Sequence, residues 1–110
     1  MEGAAKGEVK HVVVVKLKES IPQHEIEQHI KDYANLVNLI PSMKSFHWGR
    51  DVGVCGMDEG YTHIFECTFE TEQDVVEYMA HPSHREFADL FIPKLDKFLI
   101  IDYKPTLVHP

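Results

Sequence analysis

The segment from His63 to Phe91 carries titratable side chains among apolar residues, including Tyr78, His81 and His84. An imidazole titrates near neutral pH, so it can take a proton from a substrate at a useful rate. A phenol stays protonated at that pH and can donate a hydrogen bond to an oxygen that gains charge. A polar group buried without a partner costs roughly 1–3 kcal/mol. These side chains therefore either pair with one another or serve a functional site.

A strand is predicted to position His63, and a helix is predicted to position Tyr78. Residues 61–69 alternate between apolar and polar positions as a half-buried strand does. His63 then shares one face with three apolar residues, namely Phe65, Cys67 and Phe69. Thr71 is a favoured helix N-cap, and it predicts the start of a helix that carries Tyr78.

A second helix is predicted to begin at Pro82, because proline is favoured in the first helical turn. In that helix His84 shares a stripe with apolar side chains, which are Phe87, Ala88 and Phe91. We therefore expect one strand histidine and one helix histidine to point into the same interior.

The remaining elements are three strands and one long amphipathic helix. The helix is predicted from Pro22 to Ile40, where Pro41 ends it. The strands are predicted at residues 11–17, 45–52 and 98–103. The order strand, helix, strand, strand, helices, strand is typical of a ferredoxin-like α+β fold, an antiparallel sheet with helices on one face.

The sheet face away from the helices is predicted to be apolar. Val12, Val14, Ile64 and part of the run 98–101 lie there. A lone monomer would expose this face to water, so we expect a homodimer in which two sheets pack together. The domain is predicted to span residues 9–105, with short tails at residues 1–8 and 106–110.

Composition excludes several classes of partner. The 110 residues carry a net charge of −7 and no basic run, which argues against binding to nucleic acid or to an anionic membrane. The sequence shows neither a signal-peptide pattern nor an apolar run long enough to span a membrane. We expect an intracellular protein, in the cytoplasm or the nucleus.

Four separated motifs carry a resemblance to a known family. They are His11, the segment NLVNLIPSMKSFHWGRDV at residues 35–52, EGYTHIFECTFE at residues 59–70 and HPSH at residues 81–84. In order and spacing they resemble the stress-responsive A/B barrel domain family, whose members form dimeric α+β barrels. The resemblance covers residues 9–105 and implies a heat-stable plant stress or defence protein with antifungal or antimicrobial activity.

The chain is also similar to a plant polyketide cyclase of the same family, and this similarity implies a set of site residues. His84 would be the general base that removes a proton next to a carbonyl group, and Tyr78 would donate a hydrogen bond to the carbonyl oxygen. His11, Tyr33 and His63 would line the cavity that binds a small apolar, polyketide-like ligand. The implied reaction is an aldol-type closure that requires no cofactor.

Other interpretations of the same residues stay open at the sequence level. His63 and His84 are also compatible with core histidines whose nitrogens bond to backbone carbonyls or tyrosine hydroxyls. Tyr78 is also compatible with a packing aromatic whose hydroxyl reaches water. His11, His63 and His84 together would make a zinc-binding set, although no local ligand spacing supports it.

A magnesium site is predicted at the end of the long helix. Pro41 stops the helix, which leaves the last carbonyl groups without intrahelical donors at the negative end of the helix dipole. The backbone oxygens of Val37, Ile40 and Met43 could hold Mg²⁺ or Na⁺ weakly, with water completing the coordination. The alternative is a helix end capped by water alone.

Overall fold

The computed structural model describes residues 8–110, so the tail predicted for residues 1–8 lies outside the described residues except for Glu8. The strands are β1 (Val9–Leu17), β2 (Ser45–Arg50), β3 (His63–Phe69) and β4 (Leu95–Tyr103). The helices are α1 (Gln23–Leu39), α2 (Glu72–Ala80) and α3 (Pro82–Phe91), followed by a single 3₁₀ turn at Ile92–Lys94. The predicted order of elements is confirmed.

The four strands form one sheet in the order β2-β3-β1-β4, and all neighbouring strands are antiparallel. This topology, with the helices on one face, confirms the predicted ferredoxin-like α+β fold. The strand ends differ from the prediction because pairing sets them. β4 begins at Leu95 rather than Phe98, since Leu95 pairs with Leu17 at the end of β1. β2 ends at Arg50 rather than Val52, since Arg50 pairs with the first residue of β3, His63.

Local sequence explains where the helices begin. The Thr71 hydroxyl accepts a hydrogen bond from the backbone N–H of Asp74 at 3.0 Å, as the N-cap prediction requires. At the next helix the Nδ1 atom of His81 accepts a hydrogen bond from the N–H of Ser83 at 3.0 Å, and Pro82 follows the cap. These two caps fix the short connection between α2 and α3, and with it the positions of Tyr78 and His84.

The core lies between the helices and one face of the sheet. The predicted inward face of β3 is confirmed, because His63, Phe65, Cys67 and Phe69 are all buried. Tyr33 lies at the centre of an aromatic cluster. Its ring centroid is 4.8–4.9 Å from those of three other rings, Phe46, Phe65 and Phe87. Aromatic pairs at this separation stabilise a core by more than the burial of their surface area alone would.

The other face of the sheet is apolar and open. Val14 pairs with Ile64 on one side and with Leu99 on the other. One pleat further along, Val12 pairs with Ile101. About half of the Ile101 side chain is exposed, and Ile64 and Leu99 are only slightly less exposed. The predicted apolar open face is therefore confirmed.

Candidate functional site

His84 lies near the start of α3 with its ring against Tyr78, at a centroid distance of 4.4 Å. Its Nδ1–H donates a hydrogen bond to the Met79 carbonyl oxygen at 3.3 Å. That bond assigns the ring proton to Nδ1, which leaves the lone pair of Nε2 available. Burial lowers the pKa of His84, and this effect outweighs the Met79 hydrogen bond, which raises it. The imidazole is therefore neutral at pH 7 and can accept a proton.

Tyr78 is fully buried, and its hydroxyl makes no hydrogen bond of ordinary geometry among the described residues, although the Tyr33 hydroxyl lies close enough to affect its pKa. The Tyr33 hydroxyl and the Cys67 thiol are its polar neighbours. Burial raises the pKa of the Tyr78 phenol, and the pKa of Tyr33 rises for the same reason. Both phenols thus remain protonated at any physiological pH. An unpaired buried donor is uncommon in folded proteins and is a feature that a ligand oxygen would satisfy.

His11 forms a pair with Asp102 that the sequence analysis did not foresee. The Nδ1 atom of His11 lies 2.6 Å from a carboxylate oxygen of Asp102, and this pair is fixed because the two residues oppose each other in β1 and β4. The His11 ring also contacts Tyr78, at a centroid distance of 5.6 Å. Three side chains, His84, Tyr78 and His11, therefore form one continuous row.

A cavity of about 70 Å³ lies between the sheet and the helices. His11, Tyr33 and His84 contribute its polar groups, and the remaining walls are apolar, with residues Val13, Met79, Phe87, Ala88, Phe91, Ile92, Leu95, Phe98 and Ile100. Tyr78 lies directly behind this wall, in contact with both histidines. The structure thus brings together four of the five side chains that the sequence predicted for the site.

His63 occupies a different place. It opposes Val15 in β1, four residues from His11, which is roughly 13 Å along a strand. Its ring stacks on Trp48 at 5.9 Å, and its Nδ1 atom bonds to the Thr62 hydroxyl at 2.8 Å. Burial, and to a smaller extent the Arg50 charge, lowers the pKa of His63. His63 lines a separate pocket of about 240 Å³ near the β2–β3 loop rather than the cavity of His84.

The helix end that was predicted to hold a cation has partners within the chain. The Ile40 carbonyl accepts a hydrogen bond from the N–H of Met43 at 3.0 Å. The Lys44 ammonium group lies 3.3 Å from the Pro41 carbonyl, so a positive charge already stands at this negative helix end. Residues 8–110 also contain no group of three His, Cys, Asp or Glu side chains that could hold a metal ion. The magnesium site formed by the carbonyls of Val37, Ile40 and Met43 stays a prediction.

Asp102 is the site residue that sequence reasoning missed. Asp102 is the single charged residue in the run Phe98–Tyr103, and a polar residue inside an apolar strand was the available signal. Its partner depended on the register of β4 against β1, which the sequence did not reveal. The Met79 side chain lies in the cavity wall, at a position where the resemblance to the cyclase implies that pocket size is decided. The hydrogen bond from His84 to the Met79 carbonyl had no sequence signature.

The fold and the site define a small ferredoxin-like α+β domain in which two histidines and one tyrosine line a cavity and a second tyrosine lies behind its wall. The family model described as the stress responsive A/B barrel domain matches residues 9–105. The chain belongs to this family, and the resemblance seen in its motifs is confirmed. Among residues 8–110 no helix is both long and apolar enough to cross a membrane.

Three relatives cover almost the whole chain. The stress-response A/B barrel domain-containing protein HS1 of Arabidopsis thaliana is 58% identical over 104 residues, which are 94% of this chain and 95% of that protein. Olivetolic acid cyclase of Cannabis sativa is 45% identical over 97 residues, which are 88% of this chain and 96% of the cyclase. The structure of a hydroxynitrile lyase from Passiflora edulis aligns with a TM-score of 0.89 at 33% identity, and it covers 96% of this chain and 100% of the lyase.

More distant structures share the fold alone. A protein from Thermobifida fusca, described as dimeric and ferredoxin-like, aligns with a TM-score of 0.76 at 20% identity. A second protein with the same description, from Jannaschia, aligns with a TM-score of 0.72 at 21% identity. The fold is therefore one in which dimers occur.

Proposed function

We propose that the cavity beside His84 is a cofactor-independent acid–base site that acts on a carbonyl compound. The observation that carries this proposal is the pairing of a neutral imidazole, whose Nε2 is free, with a buried phenol whose hydroxyl has no partner. One group can accept a proton and the other can donate a hydrogen bond. A carbonyl compound needs both functions when it loses a proton from the adjacent carbon.

His84 is the general base in this proposal. Its Nε2 takes the proton from the carbon next to a carbonyl group, the electron pair of the broken C–H bond forms an enolate, and the imidazole becomes imidazolium. In an aldol-type closure the enolate carbon then forms a C–C bond with a second carbonyl carbon of the same chain. The electron pair of that second carbonyl moves onto its oxygen, which takes the proton back from His84. Protons and electrons balance without an external oxidant or reductant.

Tyr78 is the proposed hydrogen-bond donor to the oxygen that gains charge. A donor that is already oriented in a buried site stabilises this charge more than water does. The raised pKa of Tyr78 keeps the phenol protonated throughout the reaction. His11 is held by Asp102 in a fixed orientation at the cavity wall, so it is proposed to position the ligand together with Tyr33.

The proposed ligand class is a small, largely apolar polyketide-like chain. The apolar lining of the cavity and the 45% identity to olivetolic acid cyclase support this choice. A cavity of about 70 Å³ is smaller than the roughly 150 Å³ of an apolar cavity that binds benzene. It therefore accommodates the reacting end of such a chain, while the rest of the chain lies outside.

Product analysis with a linear tetraketide thioester tests this function. The parent chain is expected to form a cyclised aromatic acid, because the aldol product loses one water molecule as the ring becomes aromatic and a second water molecule hydrolyses the thioester, which releases the thiol. His84→Ala and Tyr78→Phe are each expected to abolish most of the product. His24→Ala, which changes an exposed histidine on α1, is the matched control and should retain activity. No product above the uncatalysed background with the parent chain would remove the cyclase assignment.

We also propose a biological role in stress or defence. The 58% identity to the stress-response protein HS1 supports a heat-stable stress or defence protein with antifungal or antimicrobial activity. Growth inhibition of a filamentous fungus by purified protein, before and after boiling, tests this role. Comparison with His84→Ala then separates two mechanisms, because inhibition that survives the substitution does not depend on the acid–base site.

The biological unit is proposed to be a homodimer. The apolar open face of the sheet supports this assembly, and so does the occurrence of dimers among proteins of the same fold. Two copies that pack sheet to sheet would remove both open faces from water, which is a large favourable term in association.

A further inference from the structure

A shallow groove of about 580 Å³ lies outside the cavity wall. It runs over the exposed side of α2, the start of α3 and the edge strand β4, and its lining residues are Val75, Val76, Met79, Ala80, Arg85 and Asp102. Apolar side chains form most of its surface. Two charged groups, the Arg85 guanidinium and the Asp102 carboxylate, stand within it.

The groove and the cavity share a wall. Met79 lines both of them, and its side chain is partly exposed. Methionine is unbranched and flexible, so it can move aside at little cost. The pair formed by His11 and Asp102 also connects the two spaces, since His11 lines the cavity and Asp102 lines the groove. A ligand that leaves the cavity past Met79 therefore enters the groove.

Arg85 provides a cation in the groove. It follows His84 directly in α3, so one helix turn presents the imidazole to the cavity and the guanidinium to the groove. Arg85 takes part in none of the ion pairs within residues 8–110. A guanidinium group binds carboxylate and phosphate oxygens with two parallel hydrogen bonds. The one carboxylate in the groove, that of Asp102, already accepts a hydrogen bond from His11.

The sizes of the two spaces favour a divided ligand. The cavity of about 70 Å³ holds only a few heavy atoms, so most of an acyl chain must lie elsewhere. The groove adjoins the cavity at Met79, and its lining combines apolar side chains such as Val76 with the charge of Arg85. An amphiphilic ligand with a carbonyl at one end and an anionic group at the other matches this combination of surfaces.

We propose that the groove is the outer half of the ligand site, in which Arg85 binds the anionic end of an acyl compound whose carbonyl end lies beside His84. Arg85 is thus a specificity residue that selects ligands with an anionic handle, and Met79 marks the passage between the two halves. This inference rests on the function proposed for the cavity.

Isothermal titration calorimetry with two thioesters of one acyl chain tests the inference. Hexanoyl-coenzyme A carries an anionic handle, and hexanoyl-N-acetylcysteamine carries a neutral one. We expect Arg85→Gln to weaken binding of the coenzyme A thioester by roughly fivefold, as for loss of one exposed ion pair. Binding of the neutral thioester should stay unchanged, and Arg85→Lys should retain most of the affinity for the anionic one.

Lys31→Gln is the matched control, because Lys31 is an exposed cation on α1 outside the groove. The inference is overturned if Lys31→Gln and Arg85→Gln weaken binding equally, if both thioesters lose affinity equally, or if the parent chain binds the two thioesters alike. Binding does not require turnover. A selective effect of Arg85→Gln in a protein that forms no cyclised product would therefore support the groove and reject the proposed reaction.

Discussion

The His84 ring packs against the Tyr78 ring at 4.4 Å, and the hydrogen bond from Nδ1 to the Met79 carbonyl leaves Nε2 without a proton. This relationship places a proton acceptor beside a phenol whose raised pKa keeps it protonated at physiological pH.

The pH dependence of turnover should report a histidine with a lowered pKa. His84 must be neutral to act as a base, and burial lowers its pKa below the ordinary value of about 6.5. We expect kcat/KM to be flat around pH 7 and to fall as the pH drops through this lowered pKa. A pH series with the tetraketide thioester measures it. A midpoint above 6.5 would contradict the assignment of His84 as the base.

Tyr78→Phe should separate stability from function. The Tyr78 hydroxyl is buried without a partner, so its removal should leave the free energy of unfolding unchanged or raise it by about 1 kcal/mol. Activity should fall by about 10²–10³-fold, because the oxygen that gains charge loses its donor. Urea unfolding and product formation measure the two effects. A large loss of stability would show that the hydroxyl has a structural partner.

His63 should make the fold sensitive to acid. Burial lowers the pKa of His63 in the folded chain, whereas the unfolded chain keeps a value of about 6.5. Below that pH the unfolded state binds more protons, so the free energy of unfolding declines as the pH falls from 6.5 through the lowered folded value. His63→Asn should reduce the difference in stability between pH 7 and pH 5.

The control for this experiment is His24→Asn, at an exposed position of α1. Urea unfolding at the two pH values measures both variants. Equal pH dependence in His63→Asn and the parent chain would exclude His63 as a source of the acid sensitivity.

Ile101→Lys should convert the proposed dimer into a monomer. Ile101 lies on the open sheet face opposite Val12, and a charge there would be buried without a partner in a sheet-to-sheet interface. Light scattering after gel filtration should give the mass of one chain for Ile101→Lys and of two chains for the parent. Leu90→Lys, at a still more exposed apolar position on α3, should leave the dimer intact. A parent chain of monomer mass would reject the assembly.

Local signals predicted the elements and the faces of β3, because a capped helix such as the one after Thr71 and an alternating strand have recognisable patterns. The sequence did not show how strands that are distant along the chain pair with one another. The register of β4 against β1, which joins His11 to Asp102, depends on pairing across the sheet. The register of β3 against β1 shows why His63 lies apart from His84, because His63 pairs with Val15, which is four residues along β1 from His11.

The volume of the cavity also had no sequence signature. It depends on how the side chains of α3, the 3₁₀ turn and β4 pack together, and single residues such as Met79 decide it. Resemblance to a family supplied the expected residue roles but neither the space around them nor the groove that leads to that space.

Long-range proton–nitrogen NMR correlations of the His84 imidazole across a pH series would decide whether this residue can act as the base. We expect a neutral ring at pH 7 with its proton on Nδ1, and a pKa lowered from the ordinary value by burial. A proton on Nε2 at pH 7, or a ring still charged at that pH, would exclude His84 as the base, because it would then have no lone pair with which to accept a proton in the cavity.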